Sequence, residues 1–162
     1  MNANLESRIN EIINSGFETP SILKRVLSRE IALLKDDQLN RDILGMVYIE
    51  PTYISPVGRR EKFSGAVMVL ATSIGLIIVQ EGSTNLELEF GGYSAQYIPF
   101  SKISCVELDS CLLLGEFKLS LGALNNPDMF IEFDTSRHFK DFDEIISIIR
   151  GKMTELERHL TS

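Results

Sequence analysis

The spacing of apolar side chains changes twice along the chain, and each change marks a different kind of element. In the first 37 residues, apolar side chains recur at helical intervals in two runs that are separated by Gly16 and Pro20. The two runs are Leu5, Ile9 and Ile12, and then Leu23, Val26, Leu27, Leu33 and Leu34. Glycine commonly ends helices, and proline suits the first helical turn. The pattern predicts two helices, a helical hairpin or a loosely associated pair, with Glu30 interrupting the apolar stripe of the second.

From about Arg41 onward, apolar residues alternate with polar ones or form short β-branched runs, which is the pattern of strands. Seven segments show it, namely residues 42–51, 63–72, 76–82, 94–100, 102–109, 110–121 and 129–133. Residues 52–62 are predicted to form a polar connection, and residues 83–92 a short edge strand or an ordered loop. Seven short strands separated by turn signals predict a small sandwich or barrel.

The helical period returns after Asp134, where apolar residues are spaced alternately by three and four. They are Phe139, Phe142, Ile146, Ile149, Met153, Leu156 and Leu160. Gly151 costs about 1 kcal/mol relative to alanine inside a helix, so the helix either ends near Arg150, kinks there or continues to Leu160. A helix that continues extends past what a small barrel covers, which makes Met153, Leu156 and Leu160 candidate contacts for a partner.

The charge of the chain is unevenly distributed. Residues 1–62 hold nine Lys or Arg and nine Asp or Glu, whereas residues 63–162 hold seven and fourteen, so the net charge of -7 belongs to the second part. An acidic surface is repelled by nucleic-acid phosphates and by anionic lipid headgroups. We therefore predict no nucleic-acid binding and at most weak peripheral contact with membranes. We divide the chain into an N-terminal helical segment, residues 1–40, and a β domain with the C-terminal helix, residues 41–162.

Neither a secretory signal nor a membrane span is predicted. The first residues lack an apolar run after a basic start, and the longest apolar run, residues 66–79, is 14 residues long with polar interruptions. A membrane helix needs about 20 residues. Cys105 and Cys111 are expected to be reduced thiols, with a single bridge as the alternative. Together these features indicate a cytoplasmic protein.

The order of the segments resembles the bacterial pleckstrin-homology family of the YokE-like kind over about residues 42–152. The segments that carry the resemblance are "VLATSIGLIIV", "YIPFSKISCVEL", "LLLGEFKLSL" and "MFIEF", followed by the helix at residues 139–149. The resemblance implies a mainly β, α+β fold, in which a seven-stranded, partly open barrel is plugged by the C-terminal helix and preceded by the N-terminal helical hairpin. It also implies that Pro99, Ser101 and Lys102 turn the chain from one sheet to the other. Gly75 departs from the family, which usually has Arg or Lys at that hairpin turn.

One basic cluster suits the binding of an anion, namely Arg59, Arg60 and Lys62, with Lys102 as a further contact. In pleckstrin-homology domains the loop between the first two strands carries basic residues that hold inositol phosphates. Such side chains donate charge-assisted hydrogen bonds to phosphate oxygens. A solvated loop is the alternative reading of the cluster, and a purely structural corner is the alternative for Lys102.

No motif of a catalytic or cofactor site is present, whether G-x-S-x-G, HExxH or a phosphate-binding glycine loop. The acidic residues of the strands fit a solvated strand face better than a metal or acid–base site. These residues are Glu87, Glu89, Glu107, Asp109 and Glu116. We therefore predict a non-enzymatic interaction module without metal or cofactor, which binds a protein partner or a second copy through its terminal helices. The alternative is weak binding of an anionic ligand or lipid surface through the basic loop.

Overall fold

The computed structural model describes residues 3–15, 19–34, 42–54, 61–81, 93–122 and 127–160. Its helices are α1 (Ala3–Asn14), α2 (Ser21–Leu34) and α3 (Thr135–Leu160), with one 3-10 helix at Phe100–Lys102. Its strands are β1 (Ile43–Ile49), β2 (Thr52–Ile54), β3 (Glu61–Ser64), β4 (Val67–Thr72), β5 (Gly75–Glu81), β6 (Tyr93–Pro99), β7 (Cys105–Cys111), β8 (Leu114–Ser120) and β9 (Met129–Asp134). The predicted α+β, mainly β class is confirmed.

The seven predicted strands form two separate antiparallel sheets. Sheet 1 has the order β1-β4-β5-β6, and sheet 2 has the order β7-β8-β9. Across the described residues these sheets do not close into a barrel. The prediction missed a two-stranded ribbon, β2-β3, which begins inside the segment expected to be a polar connection.

The predicted strand at residues 63–72 is split between β3 and β4 at Gly65, where the backbone lies unusually close to β5. A Cβ at Gly65 would lie 1.9 Å from the carbonyl oxygen of Glu81, so only glycine allows the backbone to pass so close to β5. Ala66 then pairs with Glu81, whose backbone amide donates to the Ala66 carbonyl at 2.9 Å. The spacing of apolar side chains along the sequence does not reveal such a close approach between two backbone segments.

The central strands of sheet 1, β4 and β5, are buried on both faces, which accounts for their nearly unbroken apolar run. Alternate residues of β4 and β5 face opposite sides of the sheet. On the inner side, Val69, Ala71, Leu76 and Ile78 belong to the core that sheet 1 shares with sheet 2 and α3. On the outer side, Met68, Leu70, Ile77 and Val79 belong to a second core beneath α1 and α2.

The two N-terminal helices pack on the outer face of sheet 1 along the apolar stripes that the sequence predicts. The buried residues are Leu5, Ile9, Ile12, Leu23, Val26 and Leu27. Arg8 of α1 also bridges to Asp141 of α3, at 2.8 Å between Nη2 and Oδ2 and 3.2 Å between Nη1 and Oδ1. The two predicted helices therefore cover sheet 1, while the side chains of Leu33 and Leu34 lie outside the described part.

Helix α3 fills the space between the two sheets. Phe142, Ile145 and Ile149 are fully buried, and the Phe142 ring stacks on Phe117 and Phe133 at centroid distances of 5.2 and 4.3 Å. Of the three predicted courses at Gly151, the helix takes the longest one and continues to Leu160. A Cβ at Gly151 would meet no atom within 4 Å, so packing does not require this glycine.

The segment "YIPFSK" turns the chain from sheet 1 into sheet 2, as predicted. β6 ends at Pro99, the 3-10 helix follows, and its Phe100 side chain is buried in the shared core together with Ile103. The Ser104 amide then donates to the Ser120 carbonyl at 2.8 Å and so begins the pairing of sheet 2. Gly75 lies against this segment, because a Cβ there would be 2.3 Å from the Ile98 carbonyl oxygen.

Candidate functional site

The predicted basic cluster lies mostly outside the described residues. Arg59 and Arg60 are not among them, and Lys62 is a residue of β3, where its backbone pairs with Tyr53 of β2. Lys102 is exposed at the end of the 3-10 helix. Anion binding by these four residues stays a prediction. It is tested by co-sedimentation with anionic vesicles at low salt, where the attraction is strongest.

The predicted partner residues lie in the last turns of α3, residues 152–160, which we call the α3 tail. Met153 is half-buried and packs against the shared core, whereas Leu156 is exposed. Leu160 is the final helical residue, and its side chain is outside the described part.

Two clefts flank the α3 tail. One, of about 310 Å³, is lined by Ile103, Met153, Leu156 and the 3-10 helix residues Phe100 and Ser101. The other, also of about 310 Å³, shares Phe100, Ser101 and Leu156 with the first and is also lined by Ile74, Lys152 and Glu155. The structure therefore brings Met153 and Leu156 together along one apolar cleft at the sheet-to-sheet corner.

A third cavity, of about 250 Å³, lies between α2 and the ends of β4, β5 and β6, and we call it the Glu30 cavity. Its lining residues include Glu30, Ile74, Gly75, Leu76, Tyr97 and Pro99. The side chain of Glu30 is only 5% exposed, and its described partner is the guanidinium of Arg29 at 3.3 Å. Arg29 also lies over the Tyr97 ring, 5.2 Å from its centroid.

Sequence reasoning did not single out the Glu30 cavity, although one signal for it was present. Glu30 occupies a core-facing position in the apolar stripe of α2, and a carboxylate at such a position needs a polar or charged partner. The interruption of the stripe pointed to an unusual environment. It could not indicate Tyr97, because β6 meets α2 only in the folded protein.

The acidic residues of sheet 2 form a solvated strand face. Lys118 on β8 contacts Asp109 on β7 at 2.6 Å and Glu116 at 2.8 Å, and its hydrogen bonds to these carboxylates raise the pKa of Lys118. Glu107 and Glu132 are also exposed there, while Glu87 and Glu89 lie outside the described residues. Within the described ranges, no group of three or more His, Cys, Asp or Glu side chains is placed to hold a metal ion.

Both cysteines are free, and both lie on β7. They are six residues apart along the strand, which separates their Cα atoms by roughly 20 Å, too far for a disulfide. Desolvation and the neighbouring Glu107 carboxylate raise the pKa of the Cys105 thiol. A raised thiol pKa opposes thiolate formation, so Cys105 is poorly suited to act as a nucleophile.

One histidine lies at the seam between the N-terminal helices and α3. Burial lowers the pKa of His138, and nearby Arg137 lowers it further, against the opposing effect of Asp141. Arg8 and Glu50 line the same shallow cleft. We assign no catalytic role to this group.

Comparison of the chain with protein-family models, with curated proteins and with solved structures gave no match. In the described parts of the chain, no helix has the length and apolar character needed to cross a membrane.

Proposed function

We propose that this protein is a non-catalytic interaction module with a pleckstrin-homology-like fold, and that it self-associates through the α3 tail. The family assignment is supported by the order of elements, in which four-stranded and three-stranded antiparallel sheets precede one C-terminal helix. The position of "YIPFSK" at the turn between the sheets is in keeping with the same family.

The main observation in favour of a contact at the α3 tail is that Leu156, an apolar residue beyond the shared core, is exposed. Helix α3 continues past Gly151 without interruption, and its apolar line places Leu156 on the surface beside the cleft of Phe100 and Ile103. The described apolar residues of the α1 and α2 stripes, up to Leu27, are buried against sheet 1. Of the predicted terminal-helix contacts, the one at the α3 tail is therefore favoured.

Charge favours a second copy of the chain as the occupant of the cleft. The protein carries a net charge of -7, so two copies repel each other over most approaches. The α3 tail is locally balanced, because Lys152 and Arg158 accompany Glu155 and Glu157. An isologous two-fold contact at this tail would place Leu156 of each copy in the apolar cleft of the other, and two-fold dimers are the commonest oligomers.

Light scattering of the purified protein over a range of concentrations tests the proposal. We expect a dimer, and we expect Leu156→Glu to give a monomer because the substitution puts a charge into the apolar contact. Thr154→Glu is the matched control, since residue 154 lies on roughly the opposite side of the helix and should leave the dimer intact.

Two outcomes would overturn self-association at this surface. One is a wild-type protein that is monomeric at every concentration. The other is a dimer that Leu156→Glu does not weaken while circular dichroism shows both variants to be folded.

A further inference from the structure

Glu30 is the one charged residue that is buried among the parts of the chain that the structure describes. Transferring a carboxylate away from water is costly unless a cation or several hydrogen bonds compensate it. The neighbouring walls of the Glu30 cavity, which include Ile74, Leu76 and Ile98, supply no charge. The compensation that Glu30 receives therefore depends on Arg29.

Arg29 compensates Glu30 only partly. Residues adjacent in a helix do not face each other, so the Arg29 side chain must fold back across the helix to reach its neighbour. Its Nε and Nη2 atoms both lie 3.3 Å from the same oxygen, Oε1, which is longer than the ~2.7–2.9 Å of a good charge-assisted hydrogen bond. The Arg29 side chain is 54% exposed. Among the described residues Arg29 contacts only Oε1, so Oε2 is the oxygen available to a donor in the cavity.

An aromatic ring completes the surroundings expected of a cation site. Tyr97 lies on the edge of the same cavity, and the Arg29 guanidinium is stacked over its ring at 5.2 Å. Cations are attracted to the faces of aromatic rings, and sites for organic ammonium ions use this attraction together with a counter-ion. Arg29 thus occupies a position that a cation from solution would occupy with the same two partners.

The size and lining of the cavity define the ligand. At about 250 Å³ it is smaller than the ~300–1,000 Å³ typical of drug-sized ligand sites, so the ligand has few atoms. Its apolar walls favour a short hydrocarbon tail over a fully hydrated inorganic ion. An anion is excluded, because it would face the Glu30 carboxylate.

We propose that the Glu30 cavity binds a small alkylammonium ion, with the Glu30 carboxylate as its counter-ion, the Tyr97 ring beside the charge, and the tail against Leu76 and Pro99. Arg29 pairs with the Glu30 carboxylate when the ligand is absent, and the ligand competes with Arg29 for that carboxylate. The proposal is independent of self-association, because no residue of the α3 tail lines this cavity.

An NMR titration of the full chain with n-butylammonium chloride tests the site. The backbone amides of Gly75, Ile77 and Tyr97 serve as reporters, n-butanol is the uncharged probe of matched shape, and sodium chloride controls for ionic strength. We expect saturable shifts at the reporters with butylammonium, and an affinity for it about tenfold higher than for butanol, the factor that one charge-assisted hydrogen bond typically supplies.

Three variants on α2 separate this site from a nonspecific apolar pocket. Arg29→Ala removes the competing cation, so we expect butylammonium to bind roughly threefold more tightly. Glu30→Gln should reduce the affinity for butylammonium to that for butanol. Arg25→Ala, a change of the same type at an exposed position of the same helix, should leave the affinity unchanged.

The gain expected of Arg29→Ala keeps the test decisive even if Glu30→Gln does not fold, since damage to the structure does not strengthen binding. Equal binding of butylammonium and butanol would overturn the proposal. So would an Arg29→Ala protein that binds butylammonium no better than Arg25→Ala does.

Discussion

Sheet 1 and sheet 2 share one core but differ in what covers their outer faces. Inner residues of both sheets, such as Val69 and Phe117, pack together against α3. The outer face of sheet 1 presents apolar residues such as Leu70, which α1 and α2 cover. The outer face of sheet 2 presents charged residues such as Glu107 and Lys118 and is open to solvent in the described structure.

The difference shows how strand patterning determines the number of layers. An antiparallel sheet can keep one face in water when polar residues alternate with apolar ones, as they do in β8 and β9. β4 and β5 are apolar at successive positions, so they require a layer on each side. Sheet 1 therefore depends on the N-terminal helices for the layer on its outer face.

The largest difference is expected between side chains on the two outer faces. Leu70→Ala should lower the free energy of unfolding by about 2–5 kcal/mol, because it leaves a cavity beneath α1 and α2. Phe130→Ala, on the outer face of sheet 2, should cost about 1 kcal/mol or less, since the Phe130 side chain is already 48% exposed. Urea denaturation measures both, and equal losses would mean that the two outer faces do not differ as described.

The hairpin turns of the two sheets should respond in opposite directions. In sheet 1 the buried Thr72 hydroxyl accepts from the Ile74 and Gly75 amides at 3.3 and 3.2 Å and donates to the Gly75 carbonyl at 2.8 Å. Thr72→Val removes these bonds without changing the size of the side chain, and should cost about 1–3 kcal/mol.

In sheet 2 the turn contains Leu112, which is 93% exposed and has a φ of 53°. Leu112→Gly relieves a left-handed conformation that is unfavourable for leucine, and should raise the free energy of unfolding by about 0.5 kcal/mol after the greater flexibility of unfolded glycine is subtracted. Thermal denaturation of the two variants gives the comparison. A loss of stability in Leu112→Gly would contradict the assigned turn geometry.

The ion pairs of the two sheets should contribute unequally. Arg8 and Asp141 make a two-pronged, partly buried pair that joins the cover of sheet 1 to α3, so Arg8→Ala should cost about 1 kcal/mol. Lys118→Ala, on the open face of sheet 2, should cause no measurable loss, because its pairs with Asp109 and Glu116 lie at the solvent-facing surface. Repeating both measurements at 1 M salt should reduce the loss in Arg8→Ala.

The smallest expected effect is the pH dependence of stability that comes from His138, which lies between the N-terminal helices and α3. Burial lowers the pKa of His138 below its ordinary 6.5, so the unfolded chain takes up a proton before the folded protein does. The contribution of neutral His138 to stability is therefore fully present above about pH 6.5 and is lost as the pH falls below that value. His138→Gln should flatten this fall, as measured by urea midpoints between pH 7.5 and 5.5.

The Asp134 carboxylate, directly before the first residue of α3, titrates at lower pH than His138. Hydrogen bonds from the Ser136 hydroxyl and amide, at 2.6 and 2.8 Å, lower the pKa of Asp134 below its ordinary 3.8. Its contribution is present above pH 3.8 and is lost as the pH falls further. An Asp134→Asn protein that changed the slope between pH 7.5 and 5.5 would contradict this assignment.

Much of the fold followed from periodicity because its elements carry their own patterns. The spacing of Phe142, Ile149 and Met153 predicted α3, whereas the turn between the sheets at Pro99 was predicted from the family resemblance. The β2-β3 ribbon was missed because a short polar strand has no apolar face to reveal it. Of the candidate site residues, Met153 and Leu156 were predicted beside one another by helical spacing, whereas the neighbours of Glu30 were not predicted.

The sequence by itself determined the kinds of element, their order and which face of each is apolar, because these depend on spacing within one segment. Only the tertiary structure decided which apolar faces meet, so that α1 and α2 cover sheet 1 and not sheet 2. It also placed Glu30 and Arg29 beside Tyr97, which belongs to a distant part of the chain. The physical reason is that packing pairs surfaces by shape and burial across the whole molecule, and no local period records that pairing.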